Sequence, residues 1–224
     1  MAAGRTSPVL SGRWDPAYEA QSLRIWQQSL GLYESHRYRA GAELFSAGTP
    51  TRDVFLLVHG VVGLYYAVPD KEQALFMLGY PGYLLTDFAP DPGATSPVSA
   101  VALTPCRAYR VSIQQLDEAR RQNAVIASLF QHSMKVHISR LTTALAEMLC
   151  LSPAERLTQH LYELASVMGE VNPGYSDRVR PPLNDEQLAM LLGISLRHFK
   201  RVKKTLQVAS RARIESKQVS IETC

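Results

Sequence analysis

Residues 184–207 carry the most restrictive pattern in the chain, because they predict two short helices joined by a tight turn. Asn184 is a preferred N-cap residue, and Gln187 three positions later completes a capping box. Gly193 lies where the first helix has to end, since a residue without Cβ adopts a left-handed backbone without strain. Ser195 is placed to cap the second helix. The apolar residues that would form the buried faces are Leu188, Leu191, Leu192, Phe199, Val202 and Leu206.

The outward face of the second helix is strongly basic. A helix that buries one stripe and offers cations on its first two turns fits the major groove of DNA. An ordinary helical hairpin with a solvated basic face has the same pattern, so DNA binding is a hypothesis at this point. The predicted DNA-binding residues are Ser195, Arg197, His198, Lys200, Arg201, Lys203, Lys204, Arg211 and Arg213.

Positive charge is concentrated at the C-terminal end of the chain. Residues 195–224 hold eight Lys or Arg against two Glu, although the net charge of all 224 residues is only +4. This asymmetry is expected if phosphates are contacted by this end alone. Residues 213–215 and 218–221 alternate like two short strands. They predict either a β-hairpin wing, with Arg211, Arg213 and Lys217 near phosphates, or a frayed basic tail.

Short β-rich runs separated by turns characterise residues 34–112, after a loose arm (1–16) and an amphipathic helical segment (17–33). Many short strands with regular turn signals predict a small antiparallel barrel or sandwich. The candidate strands are 43–45, 53–59, 61–68, 73–78, 99–102 and 106–111.

One long helix is predicted over residues 114–149. A three-four alternation in its second half predicts a coiled-coil seam and therefore pairing with an identical chain. The neighbouring apolar set (Leu129, Ile138, Leu145 and Leu149) is then expected to pack on the chain's own domains. A single broad face against one core would show the same spacing, so a monomer stays open. The predicted dimerisation residues are Phe130, Met134, His137, Leu141, Ala144 and Met148.

A new helix is predicted to begin at residue 153. Ser152 as N-cap, Pro153 at the first helical position and Glu155 at the third form a capping box, and Gly169 is expected to end the helix. This boundary and the start of the long helix divide the chain into three parts. They are an arm and barrel (1–113), a long dimerisation helix (114–151) and a winged helix-turn-helix domain (152–224).

Four segments together resemble a known family. They are residues 41–66 (GAELFSAGTPTRDVFLLVHGVVGLYY), YPGYLLTDF, PAERLTQHLYELA and, most specifically, LNDEQLAMLLGISLRHFKR. Over nearly its whole length the chain resembles the Crp/Fnr family of bacterial transcription regulators. The resemblance implies an α+β fold with an antiparallel jelly roll, a long dimerisation helix and a winged helix-turn-helix. It also implies a homodimer that binds a palindromic operator in double-stranded DNA and contacts RNA polymerase.

The chain departs from the members of that family that bind cyclic nucleotides. Those members hold the phosphate with a Gly-Glu pair and an Arg-Ser or Arg-Thr pair, which correspond here to Thr86-Asp87 and Ser96-Pro97. No Lys or Arg occurs between Lys71 and Arg107. Because a buried phosphate would lack a cationic partner, cAMP is not expected as the effector. An iron–sulfur cluster is not expected either, since no cysteine precedes Cys106. The effector stays unknown.

The recognition helix also departs from the family. Its common opening, Ser-Arg-Glu-Thr-Val-x-Arg, corresponds to residues 195–201 here. Arg201 is retained and is the best candidate for a bidentate contact with guanine. Arg197 replaces a glutamate that would accept a hydrogen bond from cytosine, so the operator should differ from the usual half-site. Lys203 and Lys204 are predicted to contact phosphates.

Other functional classes find little support in the sequence. No phosphate loop, nucleophile elbow or metal-spaced His/Glu set occurs, so the chain is not predicted to be an enzyme. Three widely separated cysteines and the lack of a long apolar stretch predict a cytoplasmic protein without membrane contact. The alternative function is a ligand-binding regulatory module that acts through protein–protein contacts without binding DNA.

Overall fold

The computed structural model describes residues 16–50, 52–67, 73–86, 95–171, 178–179, 181–208, 213–215 and 218–220. The described part of the chain is an α+β structure with antiparallel sheets, as the sequence predicts. A β unit with flanking helices comes first and is followed by a helical unit with a small sheet. Among the helices of these residues, none combines the length and the apolar character needed to cross a membrane.

Two four-stranded antiparallel sheets form the first unit within the described residues. Their strands are β1 His36–Tyr38, β2 Glu43–Phe45, β3 Asp53–His59, β4 Val62–Tyr66, β5 Ala74–Gly79, β6 Leu84–Leu85, β7 Val98–Ala102 and β8 Cys106–Ser112. The strand orders are β1-β8-β3-β6 and β2-β7-β4-β5. All six predicted strands are present with small shifts at their ends, whereas the short β1 and β6 are additions.

Strand β3 is buried on both faces, which explains its continuous apolar sequence. Phe55 and Leu57 point into the core between the two sheets. Val54 and Leu56 point the other way, into a second core with Trp26. Trp26 belongs to α1 (Pro16–Leu30), which covers the outer face of the sheet. The predicted amphipathic helix before the barrel is therefore an integral part of its packing.

The long helix predicted over residues 114–149 is two helices, α2 (Ile113–Gln122) and α3 (Ala124–Cys150). The break is at Asn123, whose backbone is extended at φ −131° and ψ 110°. Its side chain accepts a hydrogen bond from the Val125 N–H at 2.9 Å. Asparagine competes for local backbone donors in this way, so it favours a helix start over a helix interior.

The second unit contains the predicted helices and a small sheet. Ser152 and Glu155 form the expected capping box, with the Ser152 N–H donating to Glu155 Oε2 at 2.8 Å. The helix that follows continues two residues beyond Gly169. The elements are α4 Pro153–Val171, β9 Arg178–Val179, α5 Asp185–Leu191, α6 Leu196–Val208, β10 Arg213–Glu215 and β11 Gln218–Ser220. Strands β10 and β11 form an antiparallel hairpin and β9 pairs with β11, so the wing is present in place of a frayed tail.

Candidate nucleic-acid interface

Helices α5 and α6 are joined by the turn that the sequence predicts. Asn184 and Gln187 cap α5 reciprocally, with N–H to oxygen distances of 2.8 and 2.9 Å. Gly193 has the left-handed φ of 63°. The next N–H, that of Ile194, donates to the Ala189 carbonyl at 3.0 Å, which satisfies a carbonyl at the end of the helix. The turn thus fixes where α6 emerges.

We expect Gly193→Ala to destabilise the protein by about 1–2 kcal/mol, because a Cβ is strained in the left-handed region. That Cβ would also lie 3.2 Å from Met148 Cε. Gly169→Ala is the matched control, since its Cβ meets nothing within 4 Å inside α4. Alanine should therefore be neutral or stabilising there. Urea unfolding of both variants checks the prediction, and equal midpoints would contradict it.

Helix α6 buries one face and exposes the other. Phe199, Val202 and Leu206 are buried in the core of the unit. Ser195 precedes the helix, and its Oγ accepts a hydrogen bond from the His198 N–H at 3.3 Å. The exposed face carries cationic and polar side chains at consecutive turns. Its exposed members are Arg197, His198, Lys200, Arg201, Lys204 and Thr205. We call this surface the α6 face.

Lys203 is not part of the α6 face, which corrects its predicted role as a phosphate contact. Its Nζ donates to both carboxylate oxygens of Asp185, at 2.9 and 3.2 Å. The side chain is only 11% exposed. Asp185 lies in the first turn of α5, where a carboxylate is favoured by the helix dipole. The ion pair joins the two helices and neutralises the charge of Lys203.

The remaining predicted phosphate contacts are Arg211, Arg213 and Lys217. Arg213 is in β10, at the outer strand of the three-stranded sheet. Arg211 and Lys217 lie outside the described residues. Their roles as phosphate contacts stay predictions that follow from the hairpin and from its place after α6.

The predicted dimerisation seam agrees with the exposed surface of α3 only in part. His137 is 3% exposed and packs against Tyr83, with ring centroids 5.8 Å apart. Phe130 and Met134 pack on the second core of the chain's own barrel. Ala144 lines a partly open cavity beside the barrel. His137 is therefore taken up by the chain's own packing, which corrects its place in the seam, whereas Phe130, Met134 and Ala144 are half-buried and their part in a dimer stays a prediction.

The exposed apolar side chains of α3 form a different stripe. Ile138 is 65% exposed and Leu145 is 59% exposed, although both were expected to pack on the chain's own domains. Leu141 and Met148 are exposed as predicted. Spacings of three, four and three residues place these four side chains on one face of the helix. We call them the α3 stripe. Leu149, beside them, is exposed as well.

Burial lowers the pKa of His137 to about 4. The imidazole is thus neutral near pH 7 and adds no charge to the interior. Burial likewise raises the pKa of the Cys106 thiol, whereas Cys150 is exposed at the end of α3. In the described part of the chain, no cluster of three or more His, Cys, Asp or Glu side chains is suited to a metal ion.

Among the barrel positions predicted to correspond to a nucleotide site, Ser96 is bonded to the chain's own backbone. The Ser96 hydroxyl donates to the Val98 carbonyl at 2.6 Å and accepts from the Val98 N–H at 3.0 Å. The core between the sheets contains the large side chains of Tyr80 and Tyr83. Asp87 lies outside the described residues.

Comparison with known proteins fits this architecture. Residues 35–123 match the family model of the cyclic nucleotide-binding domain. TTHA1359 from Thermus thermophilus, a transcriptional regulator of the CRP/FNR family, has a TM-score of 0.66 at 17% identity, covering 85% of this chain and 94% of its own. The chain has the Crp/Fnr fold.

Two other structures share the Crp/Fnr fold with this chain. CLP, a c-di-GMP responsive global regulator from Xanthomonas campestris, has a TM-score of 0.68 at 17% identity, covering 92% of this chain and 100% of its own. FixK2 from Bradyrhizobium japonicum has a TM-score of 0.68 at 16% identity, covering 85% and 92%. No curated protein matches the chain significantly in sequence. At these identities the likeness concerns the fold.

Sequence reasoning missed features that depend on distant partners. The Lys203–Asp185 pair joins residues 18 positions apart on two helices. The Gln187 Nε2 donates to the Tyr65 hydroxyl at 2.9 Å, linking α5 to the barrel across 122 positions. Neither contact can be predicted from a local sequence pattern. The α3 stripe, in contrast, has a local signal, because its four apolar residues already show heptad spacing in the sequence.

Proposed function

We propose that the protein is a homodimeric, sequence-specific DNA-binding regulator of transcription of the Crp/Fnr type. The observation that carries the proposal is the α6 face, an exposed row of cations on a helix whose other side is held in a core. Such a helix enters a major groove with its first turns against the bases. Double-stranded DNA is the partner, and RNA polymerase is the second macromolecule that such a regulator contacts. It acts in the cytoplasm.

The proposed dimer pairs the α3 stripes of two chains. An exposed apolar row on one helix is stabilised when an identical row covers it, and a two-fold axis presents two α6 faces to one duplex. The operator is then a palindrome with half-sites about one helical turn apart. In this arrangement the barrel (1–113), the α3 region (114–151) and the helix-turn-helix with its wing (152–224) have separate tasks.

Control by cAMP is not part of this proposal. The region between Lys71 and Arg107 offers no cation to a cyclic phosphate, and the Ser96 hydroxyl is bonded to backbone. The family model that matches residues 35–123 describes a domain type, and the chemistry of this chain's own residues decides the ligand.

Selection of bound fragments from a genomic library tests the proposed function. We expect fragments with inverted repeats to be enriched. Their affinity should fall linearly with the logarithm of salt concentration, because phosphate contacts release counterions. Purified protein that binds no duplex even at low ionic strength would refute DNA binding and favour a regulatory module that acts on other proteins.

We expect Arg201→Ala and Lys204→Ala to weaken binding in different ways. Arg201→Ala should lose about 1–3 kcal/mol of discrimination at one base pair, because it removes a bidentate base contact. Lys204→Ala should weaken binding to all duplexes and reduce the salt slope by about 1. Fluorescence anisotropy on the operator and on a scrambled duplex measures both effects.

Lys203→Ala is the matched control for Lys204→Ala. Because Asp185 already neutralises Lys203, its removal should leave the salt slope unchanged. Equal slopes for the two lysine variants would contradict the assignment of charges on α6. Equal loss of discrimination in Arg201→Ala and Lys204→Ala would contradict the separation of base and phosphate contacts.

A further inference from the structure

A cavity of about 70 Å³ lies where the barrel, α3 and the second unit meet. It is partly open to solvent, and its lining includes Phe76 of β5, Ala144 of α3, Gln159 of α4 and Leu191 of α5. Ala144 lies one helical turn from Leu141 and from Met148, so the cavity borders the α3 stripe.

Arg140 is held rigidly at the edge of this cavity. Its Nη2 donates to Glu163 Oε1 at 2.8 Å, and the side chain is only 10% exposed. Its guanidinium carbon lies 4.6 Å from the centroid of the Tyr83 ring. The Tyr80 ring centroid lies 5.3 Å from the same carbon, so one ion pair and two aromatic rings hold the guanidinium.

Two buried polar atoms of the lining residues have no hydrogen-bond partner among the described residues. They are the Nε of Arg140, a donor, and the Oε1 of Gln159, an acceptor. Buried polar groups of this kind are almost always satisfied, since an unmade hydrogen bond costs the full desolvation penalty. An occupant that accepts from Arg140 and donates to Gln159 would satisfy both.

The hydrogen-bonding pattern of these two atoms selects an uncharged occupant. The Nε–H of Arg140 needs an acceptor, and the Oε1 of Gln159 needs a donor. A carboxylate has no hydrogen to donate, and an ammonium group has no lone pair with which to accept. A neutral group that carries an acceptor and a donor side by side satisfies both atoms.

We propose that this cavity binds a small uncharged carboxamide. The amide oxygen accepts from Arg140 Nε, the amide NH2 donates to Gln159 Oε1, and a short apolar group lies against Ala144 and Leu191. With about 10–15 Å³ for each water-sized sphere, the space holds about five to seven such spheres, which is enough for a small amide. Because the lining residues come from both units, the occupant contacts the barrel and the helix-turn-helix together.

Acetamide is the probe, and two-dimensional NMR of the full chain without DNA is the measurement. The Arg140 Nε–H and the Gln159 side-chain amide should both shift on titration and saturate with a dissociation constant on the order of millimolar. Acetate and ethylammonium have nearly the same shape and carry opposite charges. Neither should produce a saturating shift at these resonances. The resonances are assigned by their disappearance in Arg140→Lys and Gln159→Leu.

Two substitutions separate specific binding from a general solvent effect. Gln159→Leu should weaken acetamide binding about ten-fold or more, because one hydrogen bond is lost. Ala144→Leu fills the cavity and should abolish the saturation, whereas Ala146→Leu, the same change on the same helix outside the lining residues, should leave it intact. A linear shift that Ala144→Leu preserves, binding of acetate as tight as that of acetamide, or no shift with any probe would overturn the proposal. Since no DNA is present, each result is independent of the proposed function.

Discussion

The double substitution Ile138→Glu and Leu145→Glu should convert the protein into a monomer and lower its affinity for a palindromic operator by at least about 100-fold. Both side chains are well exposed on the α3 stripe, so their replacement removes nothing from the chain's own core. Two like charges on each helix would repel their copies across a two-fold axis. A monomer then presents one α6 face at a time and loses the second, intramolecular contact.

Val125→Glu is the matched control for this experiment. Val125 is an exposed apolar residue of the same helix, but it lies in the first turn and outside the α3 stripe. It should leave both the dimer and the operator affinity unchanged. Analytical ultracentrifugation and anisotropy give the two readouts. A double variant that stays dimeric would refute the stripe as the interface, and a monomer with full affinity would refute the need for two α6 faces.

Local chemistry explains why the helix-turn-helix could be predicted residue by residue. The Asn184 cap, the left-handed Gly193 and the buried Phe199 each depend on neighbours within a few positions. The strands of the barrel were predicted for the same reason, because turn residues bound their apolar runs. The two-residue strand β6 was not predicted, because so short a segment forms a strand only when it pairs with β3.

The seam and the role of Lys203 could not be predicted in this way. Helix α3 has apolar residues on more than one face, so the sequence permits two phases of the same alternation. The barrel decides between them, because it covers His137 and leaves Ile138 exposed. The same holds for Lys203, since no acidic residue lies within four positions of it and its partner comes from another helix. In both cases tertiary packing decides which of several similar side chains is buried or paired.

The pH dependence of stability should report the burial of His137. Its pKa is lowered by burial to about 4, from the ordinary value of 6.5 for an exposed histidine. Between these two pH values the unfolded chain binds a proton that the folded chain does not. The free energy of unfolding therefore rises with pH across this window. The difference of about 2.5 pKa units corresponds to about 3 kcal/mol, present above pH 6.5 and lost at pH 4.

Urea unfolding of the protein and of His137→Gln at several pH values between 4 and 7 measures this contribution. All other titrating groups are common to both chains, so the difference between their two curves isolates His137. We expect the wild-type curve to be steeper, with the gap changing by about 3 kcal/mol over the window. Parallel curves would mean that the imidazole is solvated in the folded state. Such a result would place His137 on the outward side of α3. The originally predicted seam, which includes His137, would then be the better candidate for the dimer interface.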